Sequence, residues 1–181
     1  TARKTPWPAA LALGRAQLAT GDAEAAAANL SLALSLSKTD DPARFQLIDA
    51  LSQALRLSGR LSEARQLLWE SQAHVNSPES AAILLVSLAE VDVVFDRLAL
   101  SERWIEGVLS DVFLQDVVLL DRALIVRARI ALAFRTQNLP QEAAALMEAV
   151  LRAKARGDVE GAARLLGWCA AVRAVLGLPA A

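Results

Sequence analysis

A ten-residue phrase recurs along this chain and limits its fold more than any single residue does. It reads GDAEAAAANL from Gly21, GRLSEARQLL from Gly59, DRLALSERWI from Asp96, NLPQEAAALM from Asn138 and GDVEGAARLL from Gly157. Each copy opens on a turn-forming residue. The sixth residue is small: Ala26, Ala64, Ser101, Ala143 and Ala162. The tenth is large and apolar: Leu30, Leu68, Ile105, Met147 and Leu166. The first four copies start 38, 37 and 42 residues apart, and the fifth follows after only 19. A hairpin of two helices and two turns occupies about 34–47 residues, so the period predicts stacked helical units, each touching its neighbours.

Composition agrees with helices. Apolar residues make up 55%, aromatics only 4%, and there is no Tyr. Ala and Leu dominate, and both favour helix interiors. Apolar stripes recur at helical spacing, as in Phe45, Ile48, Leu51 and Leu55. Pro8, Pro42 and Pro78 stand where first helices begin, because proline fits a first helical turn. Asp41 and Ser77 precede two of them as N-caps. The predicted helices are 8–20, 22–37, 42–58, 61–74, 78–95, 98–110, 114–136, 140–155 and 158–176. The reading is a single all-α domain over 1–181, a right-handed superhelical solenoid of four hairpins plus a C-terminal helix. Its repeats span about 7–40, 41–76, 77–111 and 112–156, with the last helix at 158–177.

The chemistry of catalysis is missing from this pattern. His74 is the only histidine and Cys169 the only cysteine. His74 is expected in the last turn of a helix, where a cation suits the dipole. Cys169 is expected as a small packed group. Neither a disulfide nor a zinc site can be assembled from one of each. The expectation is a protein that is not an enzyme and holds no cofactor or metal. Net charge is −1 without long single-sign runs, so no nucleic-acid footprint is expected. The most apolar window, 81–95, is shorter than a membrane span and carries Glu90 and Asp92. No secretory leader follows the first residues, so a cytoplasmic location is expected. The chain starts at Thr1 and reads as a piece of a longer one. Trp69 and Trp104 are expected to wedge between neighbouring second helices, with Trp7 and Trp168 at the ends.

The spacing resembles the tetratricopeptide repeat (TPR). Gly14, Gly21, Ala26, Leu30 and Ala33 match its packing positions in the first unit. Ser52, Gly59, Ala64, Leu68 and Ser71 do so in the second, and Ala131, Asn138, Ala143, Met147 and Val150 in the fourth. The resemblance covers about residues 8–155. It implies that first helices line a concave groove presenting Arg15, Gln46, Asp49, Gln53, Arg56, Glu90 and Arg135. Leu18, Leu57, Val86, Val93 and Leu132 would form the groove's apolar floor.

A second resemblance covers residues 155–177, ARGDVEGAARLLGWCAAVRAVLG. It is similar to a segment of large bacterial signal-transduction ATPases, many of which carry a LuxR-type DNA-binding domain. That resemblance implies a regulatory region binding a small inducer or a protein partner. A stand-alone adaptor that binds a peptide or protein is the alternative. The last helix carries Leu165, Trp168 and Val172, expected to form an interface with a second copy, as a homodimer, or with a following repeat.

Overall fold

The computed structural model describes residues 7–38, 41, 43–110 and 116–179. The described residues are helical, joined by short turns, without strands. The α-helices are α1 Trp7–Ala19, α2 Ala23–Leu36, α3 Arg44–Leu57, α4 Leu61–Ser71, α5 Pro78–Val94, α6 Leu98–Leu109, α7 Val117–Phe134, α8 Leu139–Ala155 and α9 Val159–Val175. A short 3₁₀ turn, Gln72–His74, follows α4 and contains His74, which the sequence placed in the helix itself. Pro42 and Leu114, two expected helix starts, lie outside the described residues. Ser77 caps α5 as expected, its hydroxyl accepting from the Ser80 N–H at 3.1 Å.

The phrase marks a helix-ending turn. Gly21, Gly59 and Gly157 have φ of 83°, 79° and 75°. Only the left-handed region gives these values, and glycine enters it without a Cβ clash. The next residue's N–H then reaches back five residues. Asp22 donates to Gln17 O at 2.9 Å, Arg60 to Leu55 O at 2.8 Å and Asp158 to Ala153 O at 3.0 Å. Asp96 takes the same conformation at φ 57°, and Arg97 donates to Asp92 O at 2.9 Å. Aspartate tolerates the left-handed region better than most residues.

The fourth copy departs from this register. Asn138 has φ −83° and sits just before α8. Arg135 is the left-handed residue there, at φ 49°, and Thr136 donates to Ala131 O at 3.1 Å. Counted between left-handed residues, 96 to 135 is 39 positions, close to the two earlier periods. Much of the 42-residue spacing read from the sequence is thus an elongated turn. The tenth position shifts as well. Leu30, Leu68 and Ile105 are buried as expected, but in the last two copies Leu146 and Leu165 are buried instead of Met147 and Leu166.

The chain forms two compact units, 1–91 and 92–181, with the boundary inside α5. In the first, α1 packs on α2, α2 on α3, α3 on α4, and α1 beside α3. Leu30, Leu47, Leu68 and Val86 are fully enclosed. Gly14 on α1 allows the close α1–α2 approach: a Cβ there would stand 2.5 Å from Leu30 Cγ. In the second unit, α6 packs on α7, α7 on α8, α8 on α9, and α9 beside α7. The lone helix therefore occupies a first-helix position. Leu165 and Val172 point into this unit's core with Leu146, Val150 and Cys169. At 1% and 0% exposure they are not free for an interface, which corrects the sequence expectation. The error arose from counting the stripe one position late.

Two glycine substitutions should separate backbone strain from crowding. Gly59→Ala adds a left-handed alanine and should cost about 1 kcal/mol in urea denaturation. Gly14→Ala should cost about 1–3 kcal/mol from crowding, less what alanine returns as a helix former. In a Leu30→Ala background the Gly14→Ala cost should vanish, while the Gly59→Ala cost should persist. A Gly14→Ala cost that survives Leu30→Ala would contradict this packing.

Candidate functional site

Four of the seven groove residues come together in the first unit. Asp49, Gln53 and Arg56 fall at spacings of four and three on α3, so they share a face. Asp49 accepts from the Ser87 hydroxyl of α5 at 2.6 Å and from Gln53 Nε2 at 3.0 Å. Arg56 Nη2 meets Glu90 Oε2 at 3.5 Å. Ser87 was missed, although it sits one turn before Glu90 and so faces α3 with it. The network satisfies its members internally and ties α3 to α5. Gln46 and Arg15 stand exposed in the same unit. Arg135 belongs to the second unit, at the left-handed turn after α7 rather than on a helix face. Of the expected apolar floor, Val86 is enclosed in the core and Leu57 is 60% exposed.

A second kind of surface lies between second helices. In the unit of residues 92–181, α6, α7, the following turn and α8 enclose a cleft of about 440 Å³. Its floor is apolar: Ile105, Ile130 and Ala131 are buried and Leu109 half-buried. Glu102 and Glu106 line it from α6 and are exposed. With Ile105 and Leu109 they follow the helical spacing that puts residues on one face. Glu142, buried on α8, accepts from Arg127 Nε at 2.9 Å. Thr136 also lines the cleft, and its Oγ1, shielded from solvent, has no hydrogen-bond partner among the described residues.

The first unit has the equivalent cleft, about 430 Å³, between α2, α3 and α4. Aligning left-handed residues puts Ala27 and Ser31 where Glu102 and Glu106 stand. It puts Leu51 where Arg127 stands. Carboxylates at these two positions are thus particular to the second unit, while the first cleft has its own exposed acids on α4, Glu63 and Glu70. In the first unit Glu63 is bound by Arg60 at 2.7 Å. The hydrogen bond from Arg60 holds the Glu63 carboxyl below its ordinary range, and the Arg60 guanidinium above its own.

The other buried acids all have partners, as burial of a charge requires. Asp121 accepts from Arg152 at 3.2 Å and Arg156 at 2.9 Å, joining α7 to α8. Asp92 accepts from Trp104 Nε1 at 3.3 Å. Trp69 is 53% exposed, with the Arg65 guanidinium over its ring, so it is not wedged between helices as expected. Trp168 is half-buried beneath Arg129, 5.6 Å from the ring centroid. Cys169 is buried against Ala143 O. Among the described residues, no three His, Cys, Asp or Glu side chains converge as metal ligands, and no helix is long and apolar enough to cross a membrane.

No family model matches the chain, and no curated protein does. Among solved structures, it is similar to the nearly identical TPR-like repeats of a Podosopora anserina protein designated a kinesin light chain. The TM-score is 0.55 at 16% identity, covering 97% of this chain and 99% of that one. A point variant of the same protein matches at 17% identity with the same TM-score and coverage. At this identity the likeness concerns the fold, which is TPR-like.

The corrected position of the last helix gives a contrast on one element. Leu165→Ser should destabilise the chain by about 3–5 kcal/mol, since it opens a cavity and buries a hydroxyl. Trp168→Ser should cost about 1–2 kcal/mol, from its partial packing on the core together with the lost contact with Arg129. Equal, small losses for both in chemical denaturation would return Leu165 to the surface.

Proposed function

We propose that this chain is a non-catalytic module that binds a protein or peptide partner. The cleft between α6 and α8 carries the reading. It combines about 440 Å³ of volume, a buried apolar floor and an open polar rim. Peptide side chains fill such concave sites, with apolar groups giving affinity and a few polar groups giving orientation. The first-helix face of Gln46, Asp49, Gln53, Arg56 and Glu90 is a second candidate surface, but its ordered polar groups already pair with one another.

The segment 155–177 supports a more specific setting: the regulatory repeat region of a bacterial signal-transduction ATPase or LuxR-type transcription regulator in the cytoplasm. There the module would couple an inducer or partner to the ATPase. Coding sequence for a nucleotide-binding module on the same chain would bear this out. A gene of about this length alone would leave the adaptor reading in its place. A homodimer through the last helix would have to use the face around Arg164, Gly167 and Trp168, since Leu165 and Val172 are enclosed.

Selection of random displayed peptides on the whole chain tests the binding role. Ser110 lines the cleft and is exposed, so Ser110→Trp should obstruct it without disturbing the core. Selected peptides should lose at least about tenfold in affinity for Ser110→Trp, the scale of one buried anchor. Failure to select any binder would count against the module reading. Binders indifferent to Ser110→Trp would move the site elsewhere.

A further inference from the structure

We infer that the α6–α8 cleft takes a basic peptide segment, one that seats apolar side chains on the floor and sets Lys or Arg against Glu102 and Glu106. This rests on the reading of the chain as a peptide-binding module and names the partner's chemistry.

Charge complementarity carries the inference. The cleft is lined by three carboxylates and one guanidinium. The guanidinium, Arg127, is committed to Glu142 at 2.9 Å. That leaves the two rim carboxylates, both on α6, unanswered by the described residues of the cleft. Like charges four residues apart weaken a helix, and Glu102 and Glu106 stand in that relation. Arg103 lies between them in sequence but does not line the cleft. A cation above the rim would relieve this repulsion, and an anion would add to it.

The equivalent cleft in residues 1–91 sharpens the argument. It has nearly the same volume, about 430 Å³. Its α2 wall carries Ala27 and Ser31 at the two positions, and its own exposed acids are answered within the cleft: Glu63 by Arg60, and Glu70 by Gln66 Nε2 at 2.8 Å. Packing of the repeat therefore does not require the rim carboxylates. They are an addition to one cleft, placed over buried Ile105 and Ile130. An apolar floor under an acidic rim matches a segment with alternating apolar and basic side chains.

The test is fluorescence anisotropy on the full chain with two labelled twelve-residue peptides. Both carry the same Leu and Ala positions, with Lys and Arg at the polar positions of one and Glu at those of the other. The basic peptide should bind about tenfold or more tightly than the acidic one, the sum of two rim charge pairs. Raising ionic strength from about 0.01 M to 0.15 M shortens screening from about 30 Å to 8 Å and should narrow that gap. Glu102→Gln with Glu106→Gln should remove most of the preference. Glu148→Gln with Glu160→Gln, both exposed and outside the cleft, should leave it intact. Circular dichroism should show both double variants folded. Equal binding of the two peptides, or a preference that survives Glu102→Gln with Glu106→Gln, overturns the basic-partner inference and leaves peptide binding standing. If neither peptide binds while the displayed-peptide selection yields cleft binders, the inference alone fails. If that selection is also empty, the module reading fails with it.

Discussion

Everything in this fold depends on one backbone event, a residue turned left-handed at the end of a helix. Gly21, Gly59, Asp96, Arg135 and Gly157 all do this, and each lets the next N–H reach five residues back. The bond satisfies a carbonyl that the helix leaves orphaned. It also reverses the chain within a few residues, so the next helix must run back along the first. Once the reversal is fixed, helical spacing decides which side chains face inward. Ala26, Ala64, Ser101 and Ala162 fall five residues after the turn and are buried. Their small size lets backbones approach, and the large residues three or four positions later fill the space.

The polar groups divide into those used by the fold and those left over. Asp121, Glu142, Asp92 and Asp49 are each held by donors from another helix. These pairs orient helices, and their carboxylates are committed. Glu102 and Glu106 differ in standing on the rim of a cleft whose floor is apolar. The functional reading rests on that difference between committed and uncommitted charge. It shifts attention from the first-helix face, which the resemblance to tetratricopeptide repeats favoured, to the space between second helices.

The hairpins were legible because turn chemistry and apolar spacing agreed at each copy of the phrase. Gly21, Gly59 and Gly157 announced their conformation directly. Asp96 and Arg135 did not, since neither residue type demands a positive φ. Asn138 misled for the opposite reason: it favours such turns but sits in an ordinary conformation. From that slip came the overlong spacing. A one-position shift of the stripe likewise put Leu165 on the surface in the sequence reading, though it is in the core. The α3 polar cluster was readable from its spacing, but its partner Ser87 was not, because pairing across helices depends on how they stack. The cleft was invisible for the same reason, being lined from three helices and a turn.

Hydrogen exchange on the full chain, with and without the basic peptide, separates the two surfaces most directly. The account predicts slowed exchange in residues 98–110 and 135–145, which flank the cleft, and none in 44–57. Protection confined to 44–57 and 78–91 would put the partner on the first-helix face and contradict it.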